Sequence, residues 1–478
     1  MKNTMLAVAL GVAATVVAGE PQIEMYQTCE GDRLRKLDTM MPFSKYRAVS
    51  VPVLDLDAAK PSHVWKGLGV SFPEAGCKIL SEISAKDREK VLRMVFTREG
   101  AGVTMGRIHV GCSDYSAHVY TYDDVVDDFE LKHFSIDEDR KYVLPVIKEA
   151  QRINPDIFFF GSVWTPPAWM KLGRELCGGW IDAAHLPVFC DYYVKFLQAY
   201  AKEGVKVSAI SAQNEPCSDQ DGESPECKWG PNEEMMFLAK LMPPRLKAAG
   251  LDTQLWMHDC EPHEWRQVVS ELDDPEVRKN TAAIAWHSYG ADPTAYLAEV
   301  RKRYPNVPMY HTEMGPHLDG TRTITWWGKK FTPFVNGGCS ALTSWCMVLN
   351  PKGLPNTSRG FNCAGFIEVE PFKVLGRVQA NIKPSAQWEF FRHIGPYVDA
   401  GAQVLTTDYA SQAAYHTAIP MSERFVMAFR NPDGSYVIVA TNTHEAMDRK
   451  VQLQVKLGGR YTWFQLPSKS VSTIIIRN

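Results

Sequence analysis

Three features of this chain predict an α/β fold, a (β/α)8 TIM barrel carrying an associated β-sandwich domain. Between Lys66 and Trp345, eight short apolar and β-branched runs mostly alternate with amphipathic helical stretches. Beyond about Trp388 the helical period stops and every apolar run is of strand length. The 478 residues hold one barrel, typically about 250 residues before insertions, and a smaller companion.

The elements follow in order. Met1 to Ala18 begins with Lys2, is apolar from Met5 to Val17, and offers Val16-Val17-Ala18 as a small-residue cleavage site. It reads as a signal peptide, and the expected location is secreted or periplasmic. No later window reaches the roughly 18–20 apolar residues of a membrane-spanning helix, so no integral membrane segment is expected in the mature protein. Residues 19–65 are assigned as N-terminal strands that complete the sandwich, with a strand over Arg47 to Leu56 that Pro52 marks as an edge.

Residues 66–387 form the expected catalytic barrel. Its strands are Gly67-Ser71, Val103-His109, Ile157-Val163, Val207-Ala212, Gln254-His258, Ala282-Trp286, Val307-Thr312 and Cys339-Trp345. Ser84 with Asp87 three residues later signals a helix start before the apolar face Val91, Leu92, Met94 and Val95. Pro187 to Glu203, Asn232 to Ala249 and Pro293 to Tyr304 repeat the type. Residues 388–478 are the C-terminal sandwich, with strands at Val404-Thr407, Ala413-Thr417, Phe425-Arg430, Tyr436-Thr441, Lys450-Val455, Tyr461-Gln465 and Val471-Ile476. Asn431-Pro432-Asp433-Gly434 turns between two of them.

Bulk composition narrows the partners. With 52 basic and 55 acidic residues the net charge is −3, so no field draws nucleic acid. The 13 Trp and 18 Tyr exceed what a core requires and suit stacking on sugar rings. Eleven cysteines in an exported chain suggest some disulfides. Cys217 and Cys227 are the expected pair, because they bracket a polar segment directly after Glu215. No paired Cys-x-x-Cys zinc pattern is present.

Polar and aromatic residues collect at the predicted strand ends, where a barrel builds its site. Strand two supplies Arg107 and then Asp114, strand three Trp164, strand four Asn214-Glu215-Pro216, and strand five His258-Asp259. Strand six supplies His287 and Tyr289, strand seven Thr312-Glu313, and strand eight Trp345. Two glutamates on one rim match the acid and the nucleophile of a retaining glycosidase, which needs carboxyl groups roughly 5–5.5 Å apart.

These residues carry a resemblance to glycoside hydrolase family 30, the glucosylceramidase and β-1,6-glucanase group of the retaining clan. It runs from about Gly67 to the C-terminus. Its carriers include Gly67-Leu68-Gly69-Val70-Ser71-Phe72, Arg107, Gly111-Cys112-Ser113-Asp114-Tyr115-Ser116, Trp164-Thr165-Pro166-Pro167-Ala168-Trp169, Gln213-Asn214-Glu215-Pro216, His287-Ser288-Tyr289 and Thr312-Glu313. The resemblance implies Glu215 as acid/base and Glu313 as nucleophile. It implies that Asp114, Trp164 and Asn214 contact the sugar, supported by Arg107, His287, Tyr289 and Trp345, with no cofactor and no metal. The implied partner is a carbohydrate or glycoconjugate.

The expected activity is hydrolysis of β-glucosides, as by a glucosylceramidase, through a covalent glycosyl intermediate. The alternatives are a β-1,6-glucanase, β-xylosidase or β-fucosidase of the same family, or a carbohydrate-binding barrel without activity. Charge pairing with Arg107 is expected to keep Glu313 ionised and an apolar setting to keep Glu215 protonated; Trp164 and Trp345 are expected to wall the pocket. Where the family pattern has His-Trp-Tyr and Asp-Trp-Asn, this chain has His287-Ser288-Tyr289 and Ser344-Trp345-Cys346, departures that bear on specificity.

Overall fold

The computed structural model describes residues 20–477 apart from 39, 50, 219–221, 358–361, 410–423 and 446–450. The expected leader and the strand at Ala413-Thr417 lie outside the described residues. Eight parallel strands close into a barrel in chain order: Gly67–Ser71, Met105–His109, Phe158–Ser162, Val207–Ser211, Gln254–Cys260, Thr281–His287, Met309–Glu313 and Cys339–Cys346. All eight coincide with the apolar runs of the sequence, shifted by a few residues at their ends.

The lumen is packed rather than open, as expected of an eight-stranded barrel. Met105, Phe160, Trp256, Tyr310 and the small residues Ala209, Ala283, Ala285 and Ala341 fill it. Trp256 stacks on Tyr310 at 4.4 Å and lies 5.0 Å from Phe160. Gly69 is required at the wall, because a Cβ there would sit 2.5 Å from the Thr343 hydroxyl. With the lumen filled, the only place for a site on the barrel axis is above its last side-chain layer.

The helices follow their sequence signals. Ala85–Phe96 begins at Ser84, whose hydroxyl accepts the Asp87 N–H, and it buries Val91, Leu92, Val95 and Phe96. Leu186–Lys202 buries nine residues against the barrel. The single helix expected over Asn232 to Ala249 is instead broken into Pro231–Met236, a π turn over Phe237–Leu241, and Met242–Ala248. Pro243 and Pro244 cause this, since neither donates an N–H and each ring crowds the carbonyl four residues back.

The second domain is a sandwich assembled from both ends of the chain. Gln22–Cys29 pairs antiparallel along the whole of Ser470–Arg477, Lys60–Val64 pairs with Gln403–Thr406, and Val53–Asp55 runs parallel to Val451–Leu457. The strand predicted over Arg47 to Leu56 is reduced to these three residues after Pro52. Ile367–Val374 and Arg377–Pro384 form a hairpin that the sequence reading missed. Its signal was the alternation Val378, Ala380, Ile382, inner-facing between exposed polar residues.

Helix Ala386–Phe391 leads to the junction of the two domains. Here His393 is fully buried, its Nδ1 3.0 Å from Thr473 Oγ1 and its Nε2 2.9 Å from Thr28 Oγ1. One ring thus joins the two paired terminal strands to the barrel. Burial pushes the imidazole down to about 3, with Arg392 adding to the shift. The unfolded chain takes up a proton near pH 6.5 that the folded protein refuses until about pH 3, so this group's contribution is intact above pH 6.5 and declines between those values. His393→Gln is expected to flatten the fall of unfolding free energy with acidification by up to about 1.4 kcal/mol per pH unit, read from urea titrations at several pH values.

Candidate active site

The site is built around one buried cation. Arg107, on strand two, is wholly inaccessible and reaches across the barrel mouth. Its Nη1 donates to Glu313, while Nη2 donates to Asp259 at 2.8 Å, to Asn214 Oδ1 at 2.8 Å and to Ser162 Oγ at 3.3 Å. Its guanidinium lies 4.7 Å from the centre of the Trp164 ring and 5.8 Å from that of Trp345. Four strand ends and two aromatic rings are therefore held by one side chain whose charge cannot be removed at working pH.

Asp259 enters through an irregularity in strand five. The register against strand six shifts between Ala285, which faces His258, and Trp286, which faces Cys260, leaving Asp259 as the extra residue. His258 and Asp259 have φ of 77° and 47°, a left-handed backbone that costs of order 1–3 kcal/mol per residue and clusters at functional sites. The bulge is held by the buried Glu234, whose Oε1 accepts the His258 N–H at 2.6 Å. The Asp259 carboxylate accepts from Ser162 and Ser211 at 2.6 Å and from Thr312 at 2.7 Å. Sequence reading placed His258-Asp259 at a strand end but left Asp259 out of the site; nothing in the sequence signals a bulge that turns it inward. His258 itself faces away, with its Nε2 3.2 Å from the Glu261 carbonyl.

The two glutamates meet across the pocket. Oxygens of Glu215 and Glu313 and a nitrogen of His287 all lie within 4.8 Å of one another. Glu215 takes a positive φ of 46° and is pinned by its N–H to the Asp259 carbonyl at 3.0 Å, while the Asn214 N–H bonds the Val163 carbonyl at 2.7 Å. His287 Nδ1 is 3.1 Å from Glu215 Oε1, and its Nε2 is 3.2 Å from Asp259 Oδ1. The setting of Glu215 is thus polar, not the apolar one expected. Tyr289 donates its hydroxyl to Glu313 Oε1 at 2.8 Å. Ser288, between them, turns inward to His311 at 2.8 Å.

The aromatic floor also differs from expectation. Trp164 and Trp345 stack on each other at 5.1 Å and 26°, leaving no slot between them for a sugar. They form one platform, completed by His109 at 4.3 Å and 4.9 Å from the two rings. His109 was missed in the sequence because a lone histidine two residues after Arg107 is an ordinary strand residue. Burial, with Arg107 nearby, holds it far below the usual histidine range, so the floor is neutral. Asp114 stands beside this platform with its Oδ1 unbonded, and Thr357 fixes its backbone carbonyl from the strand-eight loop at 2.7 Å.

The charges settle accordingly. Burial would lower His287, but Glu313, Asp259 and Glu215 reverse this and raise it to about 10. Burial would raise Asp259, but Arg107 and His287 hold it well below the usual range. Glu313 is raised by burial, with Glu215 adding to this; His287, Arg107 and the Tyr289 hydroxyl restrain the shift. The pairing expected between Arg107 and Glu313 exists, but it moderates the proton affinity of Glu313 instead of depressing it. Burial, then the charges of Glu313 and Glu215, push Asp114 well up.

Among the described residues, Glu215, His287 and Glu313 are the one group spaced to hold a metal ion. The imidazole fits a proton-bearing role better, since each of its nitrogens already faces a carboxyl oxygen. The expected Cys217–Cys227 bridge is absent, and all eleven cysteines are free. After Pro216 the loop diverges: the Cys217 thiol donates to Gln267 Oε1 at 3.5 Å, while Cys227 is buried near the Lys228 carbonyl. A buried lysine does the tying instead, since Lys171 Nζ donates to the carbonyls of Gly178 and Glu226 and so joins the loops after strands three and four.

A family model described as the glycosyl hydrolase family 30 TIM-barrel domain matches residues 65–373, and one described as the glycosyl hydrolase family 30 beta sandwich domain matches residues 421–474. The chain is 28% identical to the lysosomal acid glucosylceramidase of Mus musculus over 419 residues, covering 82% of this chain and 77% of that one. It is 27% identical to an endo-1,6-beta-D-glucanase of Neurospora crassa over 394 residues, covering 79% and 78%. The solved structure of SrfJ from Salmonella typhimurium shares the fold with a TM-score of 0.84 at 21% identity, covering 96% of this chain and all of that one.

Removing the central cation leaves Asp259 and Glu313 buried without their counter-charge. Arg107→Met is expected to lower unfolding free energy by about 3–5 kcal/mol. Arg107→Lys should recover only part of it, because an ammonium lacks the planar fork that reaches Glu313 and Asp259 together. Chemical unfolding of the three proteins checks this.

Proposed function

The chain belongs to glycosyl hydrolase family 30 and is a glycoside hydrolase, and on that premise we propose that it cleaves β-glucosides with retention of configuration through a covalent glycosyl intermediate. The observation that carries this reading is the approach of the Glu215 and Glu313 oxygens to within 4.8 Å. That is the close spacing of a nucleophile and acid pair, with no room for the water an inverting enzyme places between its carboxyls.

In this reading Glu313, oriented by Arg107 and Tyr289, attacks the anomeric carbon as Glu215 gives its proton to the departing oxygen. Water then attacks the same carbon, Glu215 takes the water's proton, and the bond to Glu313 breaks. Arg107 occupies Asn214 Oδ1, which leaves the amide N–H groups to meet the sugar 2-hydroxyl, a contact that strengthens as positive charge grows in the transition state. Asp114, with a free oxygen, takes sugar hydroxyls, and the Trp164–Trp345 platform takes the apolar face of the ring.

The glucosyl preference is supported by the names of the relatives, a glucosylceramidase and an endo-1,6-beta-D-glucanase. The Neurospora relative, as similar as the mouse one, supports β-1,6-glucan as the second reading. A panel of nitrophenyl β-glucoside, β-xyloside and β-fucoside with a β-1,6-linked oligosaccharide and glucosylceramide separates these. The glucoside should turn over fastest among the aryl substrates.

Glu313→Gln should abolish turnover with the fold intact, because an amide cannot form the intermediate. Glu215→Ala should reduce kcat/KM on alkyl glucosides by at least about 100-fold more than on activated aryl ones, which leave without a proton. Equal losses would refute the acid role. Proton NMR during hydrolysis of an aryl β-glucoside should show the β-anomer first; initial α-product would rule out retention.

A further inference from the structure

We propose that Asp259 is the positioning residue of the site: it holds Arg107 against Glu313, fixes the ring of His287 beneath Glu215, and ties down the backbone of the acid itself. This rests on the reading of Glu215 and Glu313 as the reacting pair.

Asp259 is fully buried, so its effects travel through other residues. Oδ2 accepts from Arg107 at 2.8 Å and from the hydroxyls of Ser162 and Ser211. Oδ1 accepts from Thr312 and faces His287 Nε2 at 3.2 Å. Its main-chain carbonyl accepts the Glu215 N–H. Five strands, two to four, six and seven, therefore converge on one residue of strand five. The left-handed bulge that delivers it is held by Glu234 from outside the barrel. Such a strained and saturated placement persists only where its surroundings over-determine it.

The chemical consequence lies in His287. Both of its nitrogens face carboxyl oxygens, Asp259 at Nε2 and Glu215 at Nδ1. Glu313 stands 3.8 Å from Nε2. Tyr289 lies edge-on to the ring, and Arg107, His258 and His311 are the remaining titratable or charged neighbours, the two histidines held low by burial. A ring that donates from both nitrogens is an imidazolium. It gives its Nδ1 proton as a hydrogen bond to Oε1 of Glu215, which leaves Oε2 as the oxygen that carries the proton to the leaving group. A neutral ring with a bare Nδ1 would lose that donor and with it the hold on the carboxyl group. By accepting from Nε2, Asp259 keeps the ring charged and its Nδ1–H in place as the donor that orients the acid's carboxyl group.

The test compares wild type with Asp259→Asn on an alkyl and a nitrophenyl β-glucoside across pH. The expected result is a loss in kcat/KM of about 100-fold or more on the alkyl substrate and about tenfold less on the aryl one. KM should change little, and the alkaline limb should move at least one pH unit lower as His287 begins to titrate. Equal losses on both substrates with an unmoved limb would overturn the proposal in favour of a purely structural role. Inactive wild-type protein would instead defeat the functional reading. A second measurement needs neither turnover nor an Asp259 variant: in wild-type protein labelled with 15N-histidine, the His287 signals, assigned by their loss in His287→Gln, should show both ring nitrogens protonated at pH 7. One bare nitrogen there would overturn the proposal.

Discussion

A buried guanidinium must be neutralised and hydrogen-bonded where it lies, and most of the site follows from satisfying Arg107. An ion taken out of water costs several kcal/mol unless its partners are fixed around it. Asp259 and Glu313 supply the opposite charge, Asn214 and Ser162 take further N–H groups, and Trp164 and Trp345 cover the cation. Those partners come from strands three to eight without strand six, which joins through His287. The barrel closure and the site geometry are thus one constraint: a shift of any strand end would unpair a charge in a place without solvent.

The same economy explains how the titratable groups divide. Two cations, Arg107 and His287, face Asp259 and Glu313, and the fourth side of the pocket holds Asp114, whose carboxyl burial pushes strongly upward. A sugar arriving with hydroxyl donors would pair with the buried Asp114 Oδ1. The imidazole of His109, which lies against both tryptophan rings, is kept neutral by burial and adds ring surface without charge. Where the family pattern led us to expect a tryptophan, Ser288 turns inward to His311, so the rim near Tyr289 is shaped by smaller side chains.

Around the site, rigidity comes from packing and hydrogen bonds, and the disulfide expected there is not formed. Lys171 joins the loops that follow strands three and four through main-chain carbonyls, a role that burial permits because its ammonium has four acceptors. The sandwich is closed by the first and last described strands, and His393 secures them to the barrel. The aromatic richness that suggested sugar stacking is mostly spent on this packing: Trp65, Trp169, Trp256, Trp286 and Trp327 are core residues, and Trp164 and Trp345 alone form the platform beside Arg107.

Local chemistry made the elements legible. Eight apolar β-branched runs, the Ser84 cap and the alternation of the final strands state their conformations in the sequence itself, because propensity and period act over a few residues. The two glutamates, Arg107, Asn214, His287 and Tyr289 were legible for the same reason, as polar residues closing strands that a closed barrel must aim at one rim. What pairs with what was not legible. Cys217 and Cys227 stand ten positions apart, yet their side chains turn to different neighbours, and Pro243-Pro244 broke a helix whose apolar face read as continuous. Asp259 reaches the centre only through a bulge set by Glu234 and by the register of strand six. Trp164 and Trp345 became one floor only when strands three and eight were brought across the barrel mouth. Each of these depends on contacts between residues far apart in the chain, and these form only once the barrel closes.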